Sequence, residues 1–331
     1  MKNPPTANSN ATADHRESED MLDILVLAQS HVDEVNMNKF IKLPNDLLKT
    51  YLDYLIRAKY LRTTNSRNKT FYEVTPAGNE FFNSNFWKVV STEFFERDLE
   101  KPIVSIVIPA FNEENSLGSI IRQTNEVLQG FGMPYEILVI DDGSTDGTAR
   151  VAGIHGATLV KNGSNRGKGH ALQLGFEKAR GSYVVTMDAD GSHRPEEIPK
   201  LLYPLLSRNL RASAVIGSRF IGNIEDGSIT KLHLLGNRFF DFAVRLLTGR
   251  GVSDTQSGFR AFRREVIEKM TLHSLGFEIE TEMIIRILRE KLTSLEVPIT
   301  CRKRQHGYTK LRSFADGFKI LRVIIRTSFE L

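Results

Sequence analysis

The chain has 331 residues, 40% of them hydrophobic and 25% charged, a length for two domains and a composition ordinary for a soluble protein. A single cysteine, Cys301, excludes an intramolecular disulfide and fits a reducing compartment; no run reaches the ~18 apolar residues of a membrane span, and no signal-peptide pattern is visible. Net charge is +4 but uneven: residues 1–100 hold 12 basic and 15 acidic side chains, whereas 301–326 hold eight basic ones against Asp316 alone, a concentration suited to phosphate groups or an anionic membrane surface.

Residues 1–19 are polar and aperiodic, the pattern of a disordered tail. From 20 to 97 the spacing predicts a helix over Met21–Ser30, a short one over Met37–Ile41 and a third over Asn45–Lys59, with Leu47, Leu48, Tyr51, Leu52, Leu55 and Ile56 at helical spacing. Tyr60–Arg62 and Phe71–Val74 flank a polar turn as a hairpin would, and Thr75–Gly78 opens a last helix. This order resembles a small winged-helix domain. Arg57, Lys59, Arg62, Arg67 and Lys69 cluster as DNA-phosphate contacts would. The net acidity of the module opposes strong DNA affinity, so a protein–protein or regulatory role is favoured over DNA binding.

After Pro102 the pattern alternates strand and helix, which implies a parallel sheet. Strands are predicted over Val104–Pro109, Tyr135–Ile140, Leu159–Val160 and Ser182–Thr186, with helices over Ser116–Leu128 and His170–Ala179. The strand at Ser182–Thr186 ends in Asp188-Ala189-Asp190, two carboxylates one residue apart. Acids so close need a cation, and a hard divalent ion that shares diphosphate oxygens meets the need. A surface turn is the alternative. Gly167-Lys168-Gly169 is not a P-loop, because Gly169 replaces the required Ser/Thr. Lys168 is either a phosphate contact or a solvated lysine.

Four segments in this order, VSIVIPAFNEE (104–114), EILVIDDGSTDGT (136–148), NRGKGHAL (165–172) and MDADGS (187–192), resemble the inverting glycosyltransferases of family 2. The resemblance implies an α/β chain: a GT-A nucleotide-sugar-binding fold over 101–331, its sheet mostly parallel and its first half Rossmann-like, preceded by the small winged-helix-like domain. It implies that Pro109, Phe111, Glu113, Ile140, Asp142 and Ala189 hold the nucleotide sugar. It makes Asp188 and Asp190 catalytic and ligands of Mg²⁺ or Mn²⁺, Asp190 the more direct and Asp188 shared with ribose. Ser192 is a further candidate for the metal shell, and His193 is read as structural. Core packing remains the alternative for Phe111, and a dipole-favoured helix-start acid for Glu113.

Further along come Ile216–Phe220, Ser253–Arg260, Phe277–Glu282 and Arg302–Leu311. This order is similar to the polyprenyl-phosphate glycosyltransferases, represented by dolichyl-phosphate mannose and glucose synthases. It implies hexose transfer from GDP-mannose, narrowly preferred, or UDP-glucose to a polyprenyl (dolichyl) phosphate with inversion. Arg219, Arg304 and Lys310 then bind donor and acceptor phosphates, with Arg219 also catalytic. Asp254 orients neighbouring groups, or serves as base if the acceptor is a saccharide or protein hydroxyl. The sole tryptophan, Trp87, lies outside this region, which opposes a processive polysaccharide synthase. Lys231–Thr248 and the basic C-terminal helix are amphipathic, suited to core packing or to a membrane interface. The expected location is the cytoplasmic face of a membrane, held peripherally or by a small membrane-anchor partner. A reading of another class is a winged-helix DNA-binding regulator with an inactive transferase domain.

Overall fold

The computed structural model describes residues 8–30, 32–66, 69–94, 103–130, 132–304 and 313–330. The chain forms two compact units, Met1–Arg97 with Leu206–Arg211, and Asp98–Leu205 with Ala212–Leu331.

The first unit contains α1 (Asn8–Gln29), α2 (Glu34–Ile41), α3 (Asn45–Arg57), an antiparallel hairpin of β1 (Leu61–Ser66) and β2 (Lys69–Val74), and α4 (Pro76–Phe94). Asp33 caps α2 by accepting from the Asn36 N–H at 3.0 Å, and Leu48, Leu52 and Leu55 bury the inner face of α3. The helix α1 corrects the expected tail: residues 8–19 are helical. The middle of α1 is held by partners distant in the chain. Glu19 accepts from the Arg208 N–H at 3.0 Å, and Asn209 Nδ2 donates to Asp20 at 3.1 Å and Asp23 at 2.8 Å. On the hairpin, Arg62 Nε donates to Glu73 at 2.6 Å, so one cation of the expected phosphate cluster is already paired. Arg67 and the side chains of Lys69 and Trp87 lie outside the described residues.

The second unit runs β3 (Val104–Ala110), α5 (Leu117–Gln129), β4 (Tyr135–Asp141), α6 (Thr148–Ile154), β5 (Thr158–Lys161), α7 (Lys168–Lys178), β6 (Tyr183–Thr186) and α8 (Ile198–Leu206). It continues with β7 (Ala214–Ile224), α9 (Lys231–Thr248), β8 (Arg260–Arg263), α10 (Arg264–Lys269), α11 (Ile279–Arg289), β9 (Ser294–Cys301) and α12 (Ser313–Phe329). Seven strands form one sheet in the order β5-β4-β3-β6-β8-β7-β9. All neighbours pair parallel except β8, which is antiparallel to both β6 and β7. The near-continuous apolar runs of β3, β4 and β6 follow from helices covering both faces of the sheet.

One core layer joins Val107, Leu138, Ile140, Leu172, Phe262, Ile279 and Met283. A second joins Ile216, Val244, Ile284, Leu288, Ile320 and Ile324, fixing α9, α11 and α12 together. The two amphipathic helices pack one face into the core and leave apolar side chains on the other exposed. Phe240, Ala243 and Leu247 pack inward from α9, while Leu232, Leu235, Phe239, Phe242 and Leu246 stay exposed. Phe318, Ile325 and Phe329 are likewise exposed on α12. No helix among the described residues is long and apolar enough to cross a membrane.

Candidate active site

The site lies beyond the C-terminal ends of β3, β4 and β6, where ligands gather in open α/β sheets. Parallel pairing of β3 with β6 brings the Phe111–Glu113 loop beside Asp188–Asp190. Ser116 Oγ, ahead of α5, donates to the Ala189 carbonyl at 2.6 Å and ties the two segments.

Each carboxylate faces a cation. Lys168 Nζ stands 2.6 Å from Asp188 Oδ1 and 2.7 Å from Glu280 Oε1. Despite burial, these two acids raise the Lys168 amine above its ordinary range, and Lys168 with His193 holds the Asp188 carboxyl well below the usual carboxylate range. Lys168 is therefore a partner of acids rather than a solvated lysine. Arg304 Nη2 meets Asp190 Oδ2 at 2.5 Å, with Glu113 3.8 Å from its other terminal nitrogen. The Ser192 N–H donates to Asp190 Oδ1 at 2.9 Å. His193 packs on Phe259 with ring centroids 5.0 Å apart, its Nε2 3.5 Å from Asp188 Oδ2. Gly258 is required here, because a Cβ would lie 2.8 Å from both Asp188 oxygens.

This set fits a divalent cation. Asp188 and Asp190 both border the junction of the two cavities, hard oxygen donors one residue apart. Among the described residues no cluster of three or more His, Cys, Asp or Glu could hold a metal alone. Two carboxylates with substrate oxygens completing the shell is the arrangement that suits Mg²⁺.

Two cavities meet at these carboxylates. The first, about 640 Å³, is lined by Pro109, Phe111, Glu113, Asp142, Ala189 and Gly167, and by Lys168, Asp188, Asp190, Phe277 and Arg304. Asp142 borders it, but its carboxylate braces the next loop: it accepts from Asn162 Nδ2 at 2.6 Å and from the Arg166 and Gly167 N–H groups at 2.9 and 2.8 Å. Gly167 opens α7 at φ +102°, a backbone position that excludes a side chain. Ile140 is a correction. It is fully buried in the core and lines neither cavity, because its strand position faces α7, where Gly175 approaches it.

The second cavity, about 540 Å³, shares Lys168, Asp188, Asp190, Phe277 and Arg304 with the first and adds Arg219, Gln256, Leu232, Phe240 and Ile320. Arg219 borders this cavity and not the first. Asp254, fully buried, holds Arg219 bidentately, with Nε and Nη2 each 2.7 Å from a carboxylate oxygen. Both Asp254 oxygens are thus committed to orienting Arg219, and neither is placed to act as a base. Lys310 lies outside the described residues.

A model of the family described as glycosyl transferase family 2 matches residues 105–271, half of the chain. The chain belongs to glycosyltransferase family 2. Among its relatives is the low-salt glycan biosynthesis hexosyltransferase Agl6 of Haloferax volcanii, 36% identical over 68% of this chain and 53% of the relative. A dolichol-phosphate mannosyltransferase of Pyrococcus furiosus is 32% identical over 67% of this chain and 63% of its own length. The chain thus spans little more than half of the first of these relatives and under two thirds of the second. The fold matches glucosyl-3-phosphoglycerate synthase from Mycobacterium tuberculosis, solved with Mn²⁺ and UDP, with a TM-score of 0.57 and 24% identity over 69% of this chain and 80% of that one. The mostly parallel sheet is therefore that of a GT-A glycosyltransferase.

Several supporting residues of this family 2 site escaped the sequence reading. Glu280, from α11, shares Lys168 with Asp188. Arg260 is completely buried, donates to the Glu280 and Thr255 carbonyls at 2.6 and 2.8 Å, and is pushed down to about 10 by burial. Asp241, on α9, accepts from the Thr255 N–H and Oγ at 2.8 and 2.7 Å. Burial, and then the neighbouring Asp254 charge, push Asp241 up to about 7. An acid raised in the folded state holds its proton while the unfolded chain has lost it, so its contribution to stability falls from about pH 4 to pH 7 and is flat above. The Asp241→Asn variant should therefore be more stable than wild type at pH 8, by on the order of 1–3 kcal/mol, with the advantage gone near pH 4. Urea melts at both pH values would show it, and an equal offset at both would contradict it.

Proposed function

We propose that this chain transfers a hexose from a nucleoside-diphosphate sugar to a polyprenyl (dolichyl) phosphate, with inversion and with Mg²⁺ or Mn²⁺ bound. The observation that carries the reading is the meeting of two cavities at Asp188 and Asp190, one beside Phe111 and Asp142, the other bearing Arg219 among apolar side chains. The names of the Haloferax and Pyrococcus relatives support the same class of reaction.

In this reading the nucleotide lies in the first cavity, with Pro109, Phe111 and Glu113 along the base and ribose. When bound, the metal supplies Lewis-acid stabilisation of the departing diphosphate, held by Asp190 and Asp188. Arg304 and Lys310 contact phosphate oxygens, and Arg219 holds the acceptor phosphate in the second cavity. A phosphomonoester, with a second pKa of about 6, is already a nucleophile at neutral pH. Its oxygen bonds to the anomeric carbon as the bond from that carbon to the nucleoside diphosphate breaks. No general base is needed, which agrees with Asp254 being occupied by Arg219. A hydroxyl acceptor would need such a base.

The apolar residues on the outer faces of α9 and α12, beside Lys319, Arg322 and Arg326, suit a membrane interface. A peripheral place on the cytoplasmic face follows, alone or with a small membrane-anchor partner. Residues 20–97 are read as a winged-helix-like module with a regulatory or protein–protein role. GDP-mannose is the preferred donor and UDP-glucose the alternative. Incubation with polyprenyl phosphate, Mg²⁺ and each labelled nucleotide sugar, followed by lipid extraction, should give labelled lipid with one donor. Absence of labelled lipid with every donor would sink the proposal.

A further inference from the structure

The loop Ser253-Asp254-Thr255 acts on the second cavity through Arg219, which borders it and which the fully buried Asp254 carboxylate grips. The loop is anchored on both sides of that grip. Before it, Glu296 of β9 accepts from the Ser253 N–H at 2.8 Å and the Ser253 Oγ at 2.7 Å. After it, Asp241 of α9 does the same for Thr255. Thr255 is fully buried, and its carbonyl takes the Arg260 bond, so Asp241 and Arg260 between them serve every polar atom of this residue.

Without Asp241, the buried N–H and hydroxyl of Thr255 would lack their acceptor. Buried donors do not stay unpaired cheaply, so the loop would move to find water or another oxygen. Thr255 adjoins Asp254, and Asp254 fixes Arg219 through two bonds of 2.7 Å. A displacement at Thr255 is thus passed to the guanidinium. Asp241 itself touches neither cavity.

We propose that Asp241 is a positioning residue for Arg219, acting through Thr255 and Asp254 as a hydrogen-bond acceptor rather than as a charge. Among the described residues only one of its oxygens is used; Oδ2 is buried and has no hydrogen-bond partner there. Its upward shift to about 7 agrees with a group whose negative charge is unsupported. An amide in its place keeps the accepting oxygen. The kinetic part of this inference rests on the proposed acceptor reading; the structural part does not.

The test joins kinetics to a signal from Arg219. In Asp241→Ala the KM for a short-chain polyprenyl phosphate should rise about 10- to 100-fold, with the KM of the nucleotide sugar little changed. Asp241→Asn should restore the acceptor KM to within a few fold of wild type. In ¹⁵N-detected spectra the Arg219 Nε–H, sheltered by Asp254, should exchange faster with solvent in Asp241→Ala and at the wild-type rate in Asp241→Asn. If Asp241→Ala does not fold, Thr255→Val, which deletes the hydroxyl donor alone, should shift both readouts in the same direction by less. An Arg219 signal unchanged in the folded Asp241→Ala or Thr255→Val protein overturns the proposal. So does an Asp241→Asn protein as impaired as Asp241→Ala. If wild type transfers nothing to polyprenyl phosphate, the acceptor reading fails, while the Arg219 signal still decides the role of Asp241.

Discussion

Replacing Asp190 by alanine should lower sugar transfer by about 1,000-fold or more, and excess Mg²⁺ should not restore it. The magnitude follows from the several kcal/mol that a divalent ion contributes to a leaving diphosphate. Asp190 makes two other contacts, with the Ser192 N–H and with Arg304, and either could explain a loss on structural grounds. Asp190→Asn separates the causes. The amide oxygen still accepts from Ser192 and still fills the same space, but it is a poor ligand for a hard cation. Both variants should therefore be inactive to a similar degree, with unaltered melting curves for Asp190→Asn. Single-turnover transfer at saturating donor, across a Mg²⁺ titration, makes the measurement. Asp190→Asn turnover within tenfold of wild type would remove the metal assignment.

The parts of this site that could be read from the sequence are those carried by neighbouring residues. Asp188 and Asp190 announce themselves because they leave a buried strand one residue apart, and β3, β4 and β6 because both faces are covered and the runs are apolar. The bounds of α9 follow from its periodicity, with Thr230 as its cap. What stayed hidden depends on distant chain segments. Glu280 lies on another helix from the carboxylate whose lysine it shares. The strand β8 reads as polar, yet Arg260 is buried by donating to two carbonyls, and Arg263 donates to those of Ala212 and Leu205. The family resemblance puts Ile140 among the nucleotide contacts, but strand alternation turns its side chain into the core. Along α1, Glu19, Asp20 and Asp23 hold Arg208 and Asn209, and no local pattern encodes such partners.

Lys168→Met should destabilise the protein by about 2–4 kcal/mol and also impair transfer. Removing one member of a buried ion cluster leaves the others uncompensated, which typically costs more than the cluster contributes. Here two carboxylates are orphaned together, Asp188 and Glu280, though Asp188 is about a quarter exposed, which tempers the effect. The pH dependence has a definite sign. Lysine stays charged across the neutral range, and its contribution fades only as the pH climbs from its ordinary 10.5 towards its raised value. Asp188 is held below its ordinary 3.8, so its share is present above that pH and lost as the pH falls below it. The gap between wild type and Lys168→Met should therefore be steady from pH 5 to 9 and narrow in acid, as read from urea midpoints at constant slope. The double variant Lys168→Met/Glu280→Gln removes one orphaned charge. It should recover a large part of the lost stability without recovering transfer, since Asp188 remains unpaired at the junction of the two cavities. Equal midpoints for wild type and Lys168→Met would mean that Lys168 does not hold these acids together.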